Sequence, residues 1–532
     1  MENSWGSYGQ TPKKISGTGI VYRGGDTWHE GNSGLSPYTG GTINYFWSGA
    51  SNCVYEGDLT GCFYIGVDKT WYNSSICGSS WCRPKFNGDN PLSTTLVDSC
   101  AYQTGSQNQL IVLSTNLNSY LYVDSLEVLG LCTNDTSSSG DANTNAMLYD
   151  AGTMSAGLPG MIIENNIYAH GWTASKATAS NTALACNVLG GGGLESKIGV
   201  VVDGSDSDAG VCAWGIFQSN YHFKDSMIRY TTQGVGQWCH DTHDNIFEYM
   251  AVPYIPTHGN AYECNQDSPG NALGQPQNTP NVVYNNIFRH DLGTSGNPDL
   301  WLCPTAMPEY WFNNLMYDLG GEGWSIPGPA GYGGCASTGG QYMFNNTLVD
   351  MTQPCYLNSI NNGTGGKYLT VINEHLINAP YDSPKQSPGC TGGPSSATNI
   401  SMSNAVATTQ GYTTGLAGIT KGNNCANEGT TPCAPTTTSS GTVGQGSNVA
   451  EYCQTLATFT SEPAISVDAA NACKFGTTDG CAYNATSHTM VCPAQAVVSR
   501  PISTQSGAPK WDSGAYQYIG LKAPTNLTGS QP

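Results

Sequence analysis

Short apolar runs alternate with polar residues along most of this chain, and one phrase punctuates them. It reads Glu164-Asn165-Asn166-Ile167, His243-Asp244-Asn245-Ile246-Phe247 and Tyr284-Asn285-Asn286-Ile287-Phe288. It returns as Phe312-Asn313-Asn314-Leu315, Phe344-Asn345-Asn346-Thr347 and Ile372-Asn373-Glu374-His375-Leu376, with weaker echoes at Tyr122-Val123-Asp124-Ser125-Leu126 and Lys224-Asp225-Ser226-Met227-Ile228. From Asn285 to Asn313, Asn345 and Asn373 the steps are 28, 32 and 28 residues. Self-similarity at this period marks a stacked architecture, and a unit of short strand, Asn corner, short strand and Gly-rich loop predicts the coils of an all-β parallel solenoid. A β-propeller would carry a period of about 40–50 residues with Gly-His and Trp-Asp marks, which the chain lacks.

The corner chemistry follows from the residue type. Asn tolerates the left-handed backbone region that a sharp corner needs. Stacked coils place Asn above Asn, so their amides can form a ladder while the flanking apolar residues stack inward. One coil buries little alone, so several must stack.

This pattern divides the chain into an N-terminal cap and first coils over 1–105, a regular solenoid over 106–410, a Gly/Ser/Thr-rich loop or linker over 411–447 and a C-terminal capping segment over 448–520. A disordered tail is expected over 521–532. The capping segment is expected to hold a short helix near Val449–Leu456 and to cover an open sheet edge. The chain has 20 cysteines. The close pairs Cys53/Cys62, Cys77/Cys82, Cys425/Cys433 and Cys473/Cys481 predict loop-stapling disulfides and an oxidising, extracellular compartment. The absence of an apolar run of about 18 residues predicts no membrane span. Met1-Glu2-Asn3 does not open a secretory leader, so a leader removed from a secreted protein is expected. Sequons such as Asn73-Ser74-Ser75 and Asn484-Ala485-Thr486 would accept glycans in a host that attaches them. The oligomeric state is left open.

Charge narrows the partner. With 18 Lys plus Arg against 38 Asp plus Glu the net charge is −20. That field disfavours nucleic acid and repels a polyanion such as pectate unless Ca²⁺ bridges it. A neutral or weakly charged polysaccharide suits it better. The chain also holds 30 Tyr and 12 Trp, and an aromatic ring offers an apolar face and, in Tyr and Trp, a polar tip. Trp172, Trp214, Trp238 and Trp301 are the candidate sugar-binding rings.

The densest polar constellation is Cys239-His240-Asp241-Thr242-His243-Asp244, followed by Thr257-His258-Gly259-Asn260-Ala261-Tyr262-Glu263. Four of nine histidines lie between 240 and 290. Strand alternation puts Asp241 and His243 on one face. The next coils are expected to bring His258 and Glu263, and then Arg289, His290 and Asp291, to successive levels. Coils stack at about 4.8 Å, so carboxylates on neighbouring or next-neighbouring coils fall within the separations of about 5–9.5 Å that glycosidases use. Asp241 with Glu263 or Asp299 is the candidate carboxylate pair, with His243 and His258 orienting or binding. His290 and Asp291 are candidate binding residues. Asp244 shares the register of Asn165, Asn285 and Asn313, which also suits a structural corner. Asp291 and Asp318 are read as a repeated position in the phrases His290-Asp291-Leu292-Gly293 and Tyr317-Asp318-Leu319-Gly320.

The repeats resemble the right-handed parallel β-helix superfamily, which includes pectate lyases, polygalacturonases, other polysaccharide lyases and hydrolases, and phage tailspikes. Gly19-Ile20-Val21-Tyr22-Arg23-Gly24-Gly25-Asp26-Thr27-Trp28 resembles the opening coil, and Arg500-Pro501 with Trp511-Asp512-Ser513-Gly514-Ala515-Tyr516 resembles the ending of secreted bacterial members. The resemblance implies the fold and a polysaccharide substrate; one fold hosts many reactions. Polygalacturonases carry Asp pairs, a Gly-His-Gly and an Arg-x-Lys. Only Asp241, Asp244 and His258 are similar here, in Thr257-His258-Gly259, with no Asp-Asp pair or Arg-x-Lys. A lyase would need a basic proton abstractor, for which Arg289, Lys224 and Arg229 are candidates, and Ca²⁺. Asp203, Asp206 and Asp208 supply oxygen ligands for Ca²⁺ but lack an EF-hand's spacing. Two readings stand: a secreted glycoside hydrolase with paired carboxylates, needing no cofactor, placed ahead of a Ca²⁺-dependent lyase, or a non-catalytic extracellular adhesin, fibre or filament subunit.

Overall fold

A computed structural model describes the chain most continuously over 195–203, 220–229, 241–248, 280–290, 308–319, 341–349, 369–377, 398–412, 433–459, 463–477 and 509–518. Shorter described stretches are 19–24, 43–45, 63–72, 74, 78–80, 85–87, 111–113, 121–125, 127–129, 146–150, 161–164, 168–170, 187–191, 262–264, 300–302, 324–325, 482–484, 489–491 and 498–501.

The strands form two long parallel sheets. Sheet A has eleven strands in chain order from Gly19–Gly24 to Leu369–Ile372, and sheet B has eleven from Lys85–Asn87 to Ile400–Met402. A third side carries two shorter parallel sheets, one ending at Asn187–Gly191 and one built from Tyr262–Cys264, Leu300–Leu302 and Trp324–Ser325. One turn runs Asp241–His243 in sheet A, a two-residue corner, Ile246–Glu248 in sheet B, Tyr262–Cys264 on the third side, and then Asn281–Tyr284 in sheet A again. This is the all-β parallel solenoid that the repeat predicts.

The corner between the sheets explains the repeated phrase, with a division of labour that the sequence does not display. Its first residue adopts a left-handed conformation: φ is 52° at Asp225, 56° at Asp244, 55° at Asn285, 57° at Asn313 and Asn345, and 60° at Asn373. Asn and Asp accept that region at lower cost than other side chains. The second residue points inward and builds the ladder. Nδ2 of Asn245 donates to Oδ1 of Asn286 at 3.0 Å, Asn286 to Asn314 at 3.1 Å, Asn314 to Asn346 at 2.9 Å, and Asn346 to Oε1 of Glu374 at 3.0 Å. Each of these amides also donates to a backbone carbonyl: Phe223, Thr242, Val283 and Trp311 in turn. The ladder therefore satisfies backbone groups that the bend withdraws from the sheets. The register of Asp244 with Asn285 and Asn313 is thus that of the corner, and the ladder runs through the residue after it.

Inside, Phe223, Val283, Trp311 and Met343 of sheet A meet Phe247, Phe288, Met316 and Leu348 of sheet B, all nearly inaccessible to solvent. Phe247 and Phe288 stack at 4.7 Å, with Tyr262 from the third side edge-on to both. Trp311, one of the solenoid's aromatics, lies wholly in this core, its indole N–H donating to Glu309.

Three sequence expectations meet the structure in the C-terminal region. Helices α1 (Asn404–Thr409), α2 (Ala450–Leu456) and α3 (Pro463–Cys473) and the segments around them lie against the outer faces of both sheets instead of only closing an edge. Val449, Ala450, Cys453, Leu456, Ala469 and Ala470 pack on the outward Tyr284, Phe312 and Phe344 of sheet A. Ala407, Tyr412, Ala515 and Tyr516 pack with the outward Leu315, Tyr317, Val349 and Ile377 of sheet B. The reason is that these outward positions are apolar and need cover. Second, the stretch expected as a loop or linker is irregular chain from Cys433 onwards and is held down: Ser447 exchanges two hydrogen bonds with the Asn373 side chain, at 2.7 and 2.8 Å. Third, Cys473 pairs with Cys453, clasping α2 to α3, and not with Cys481. The two cysteines face each other inside that cluster, so spatial packing overrides closeness in sequence. Cys433 is also disulfide-bonded; Cys53, Cys62, Cys77, Cys82, Cys425 and Cys481 lie outside the described residues.

Arg500 pins this region. The residue is 2% exposed, and its guanidinium donates to Asn313 and to the carbonyls of Phe475, Asp512, Gly514 and Ala515, with Trp511 alongside at 5.2 Å.

Glu374 interrupts the amide column with a buried carboxyl; its own backbone N–H donates to Oδ1 of Asn399, whose amide donates in turn to the Val371 carbonyl. Burial pushes its pKa well above the usual carboxylate range, against the opposing hydrogen bonds from Asn346. A raised folded value means that its stability contribution is complete below the unfolded pKa of about 4.3 and declines as pH rises towards the folded value. Glu374→Gln is expected to melt with the wild type near pH 4 and above it at about pH 8. Melting curves that remain superimposed at the higher pH would contradict this.

Candidate functional site

Sheet A presents two outward columns that run along the solenoid. One passes through Asp241, Val282, Tyr310 and Tyr342; the other passes through Lys224, His243, Tyr284, Phe312 and Phe344. The apolar cluster under α2 and α3 begins at Val282 and Tyr284. One strand earlier the same columns hold Asp241 and His243, and the surface chemistry changes from apolar to ionic.

There the His243 ring lies between two carboxylates. Nδ1 is 2.6 Å from Asp244 Oδ2, and Nε2 is 3.6 Å from Asp241 Oδ2. The ring stacks flat on Tyr284, with centroids 4.6 Å apart and planes 4° apart. Burial opposes a charge on the imidazole, but Asp241, the hydrogen bond that Nδ1–H donates to Asp244 and the nearby Asp225 outweigh it. The pKa rises from 6.5 to about 9. His243 is therefore an imidazolium at neutral pH and cannot act as a general base there. The Tyr284 hydroxyl is held well above its usual pKa by burial and by the same aspartates. Accessibility is graded: the side chains of Asp241, His243 and Asp244 are 4%, 12% and 35% exposed. Asp244 is the member that meets solvent. The cluster can hold a proton between two carboxylates and present one of them to a ligand.

The other charged candidates are disposed differently. Arg289 places Nη2 2.7 Å and Nε 2.8 Å from Glu248 Oε2, and donates to the Tyr317 hydroxyl. Arg229 lies 3.5 Å from the other Glu248 oxygen. Both arginines belong to a largely buried Arg–Glu–Arg ladder on sheet B. Asp203, a candidate Ca²⁺ ligand, is in strand register with Arg229 at the end of this column. His290 stands in register with Asp318, Nδ1 2.9 Å from Oδ2, and both have positive φ. It is thus His290, not Asp291, that repeats the position of Asp318, because Arg289 is in register with Tyr317.

Glu263 belongs to the same turn as Asp241, on the third side beside Trp301, and not to the next coil of sheet A. The expected pairing of Asp241 with Glu263 across neighbouring coils of one sheet is replaced by Asp241 with Asp244 around one imidazolium. Lys224 is half-buried in the strand beside His243. Trp172, Trp214, Trp238, His258, Asp291, Asp299, Asp206 and Asp208 lie outside the described residues.

Sequence reasoning missed Glu248 and Tyr284. The first was visible as opposite charges at equivalent places in Ile246-Phe247-Glu248 and Ile287-Phe288-Arg289; the second was visible as the aromatic before each corner.

Among the described residues no group of three or more His, Cys, Asp or Glu side chains could hold a metal ion, and no helix is long and apolar enough to cross a membrane. Comparison with protein-family models, curated proteins and solved structures gives no match.

Because the folded His243 pKa is raised, its charge stabilises the protein fully below the unfolded value of about 6.5, and that stability is lost as pH rises through about 9. His243→Gln is expected to be less stable than the wild type near neutral pH, with the gap narrowing above about pH 9. A gap that does not change with pH would show that the charge contributes nothing.

Proposed function

We propose that this chain is a secreted glycoside hydrolase of neutral or weakly charged polysaccharides, working at the Asp241–His243–Asp244 cluster on a right-handed parallel β-helix. The observation that carries the reading is the place of this cluster. It is a carboxylate–imidazolium–carboxylate arrangement with one carboxylate partly open to solvent, on the first strand beyond the outer face that the chain's own C-terminal segment covers. In glycosidases one carboxyl group protonates the leaving oxygen while a second activates water or attacks the anomeric carbon. Asp241 and Asp244 are the candidates for this pair. Asp244 is the group that meets the sugar, and His243 holds the proton between them. The net charge of −20 favours an uncharged chain, and the Cys453–Cys473 disulfide suits an extracellular setting.

A second reading, a non-catalytic extracellular scaffold, has its own support. Both ring nitrogens of His243 are already occupied, and the Arg229–Glu248–Arg289 ladder is a purely cohesive device.

Assay on a panel of plant and microbial polysaccharides, with and without EDTA, separates the readings. The hydrolase releases reducing ends without unsaturated products and ignores EDTA, and Asp244→Asn lowers its kcat by about 100-fold or more. Unsaturated, EDTA-sensitive products would overturn it in favour of a Ca²⁺-dependent lyase. Reducing ends that persist in both Asp241→Asn and Asp244→Asn would remove the site. Silence and no binding across the panel would favour the scaffold.

A further inference from the structure

Among the described residues, the surface around Asp244 is closed on two sides. Towards the C-terminus the next strand of sheet A brings Val282 and Tyr284, and the one after it Tyr310 and Phe312; none of the four is more than 3% exposed. They share one apolar cluster with Val449, Ala450, Cys453 and Leu456 of the C-terminal segment. Across the bend, the first outward column of sheet B runs through Met227, Ile246, Ile287 and Leu315, and again none exceeds 3%. Between these two covered surfaces the Asp244 side chain keeps 35% of its area open. Its partly exposed neighbours are Lys224 and Asp225, on the preceding turn.

Helix α3 stands at the closed end of sheet A. It meets the strand Asn281–Tyr284, and its Ala469, Ala470 and Cys473 belong to the cluster that buries Val282 and Tyr284. Its next residue outward, Asp468, is exposed. Asp468 is close enough to act on the site: after burial and the carboxylates of Asp241 and Asp244, it is the next group that raises the Tyr284 pKa. The Cys453–Cys473 disulfide ties α3 to α2, and the buried Arg500 ties the following chain to Asn313 and to the carbonyls of Gly514 and Ala515. The covered side is a fixed wall.

A polymer cut in its middle needs an open path on both sides of the reacting bond, whereas a polymer cut at its end needs one. We infer that this site acts on chain ends: the polysaccharide approaches from the side of Lys224 and Asp225, and its terminal portion stops against α3 at Asp468. This rests on the proposed hydrolase reading and adds the mode of attack. The bond broken is a glycosidic C–O bond at a set distance from the end. The oxygen of water joins the anomeric carbon, a proton passes to the leaving oxygen, and one product of fixed length is released. The C-terminal segment, which covers sheet A, thereby also sets where the substrate ends.

The test is digestion of the neutral polysaccharide that the wild type cleaves best, followed by viscosity, reducing ends and product size. Chain-end attack yields a single small product from the first time points, with viscosity falling slowly as reducing ends accumulate. Asp468→Trp adds bulk to the wall at an exposed position, so its melting temperature should match the wild type while kcat/KM falls about 10-fold or more. A ladder of mixed oligomers with an early collapse of viscosity, abolished by Asp244→Asn, would overturn the chain-end inference and leave the hydrolase reading standing. A single product with an unchanged kcat/KM in Asp468→Trp would overturn the role of α3. If the wild type cleaves no member of the panel, both readings fall together.

Discussion

Everything in this solenoid depends on the bend between its two long sheets. A parallel strand that turns sharply after each few residues must adopt a left-handed backbone at the turn and must also re-bond the peptide groups that the turn removes from the sheets. The chain meets the two demands with two adjacent residues. Asp244, Asn285, Asn313, Asn345 and Asn373 take the strained φ. Asn245, Asn286, Asn314 and Asn346 point inward and form a continuous column of amide bonds, each also taking a backbone carbonyl. Because every rung is shared with the turns above and below, register is fixed for all of them at once.

That regularity sets what the outer faces can do. A position repeated every turn becomes a column, and a column can be apolar, alternately charged or ionic. On sheet B, Arg229, Glu248 and Arg289 alternate in sign at successive turns and neutralise one another. On sheet A, the column through Tyr284, Phe312 and Phe344 is apolar and takes the C-terminal helices as its cover. The corner asparagines contribute again here: Asn313 receives Arg500 and Asn373 receives Ser447, so the side chains that turn the chain outward also moor its C-terminal segment. Where that apolar column stops, Asp241, His243 and Asp244 begin, and the imidazolium is held charged by its two partners in spite of burial.

The repeat made the solenoid legible, since a corner residue at a fixed step can be seen without knowing its neighbours in space. It did not show which asparagine of each pair bends and which bonds, because both are the same letter. It also misplaced Asp291, because Leu-Gly after Asp in two phrases looked like register, whereas the pairing of Arg289 with Tyr317 puts His290 there. Strand alternation placed Asp241 and His243 together on one face. It could not show that Asp244 would join them from the corner, nor that Glu263 sits on the third side of the same turn, because loop lengths vary from turn to turn. The cover on sheet A was invisible for a different reason: the partners of Asn313 lie 159 and 162 residues further on, and a contact at that range leaves no local pattern. The same holds for Cys473, whose partner is chosen by helix packing and not by the nearest cysteine.

The division of labour at the corner is tested most directly by one pair of variants in denaturant unfolding. At Asn345, φ is 57° and neither side-chain polar atom has a hydrogen-bond partner among the described residues, so Asn345→Gly should stay within about 1 kcal/mol of the wild type, glycine being at ease there. At Asn346 the same change strands Asn314, Trp311 and Glu374 and should cost about 3 kcal/mol or more. Equal losses at the two positions would contradict the account.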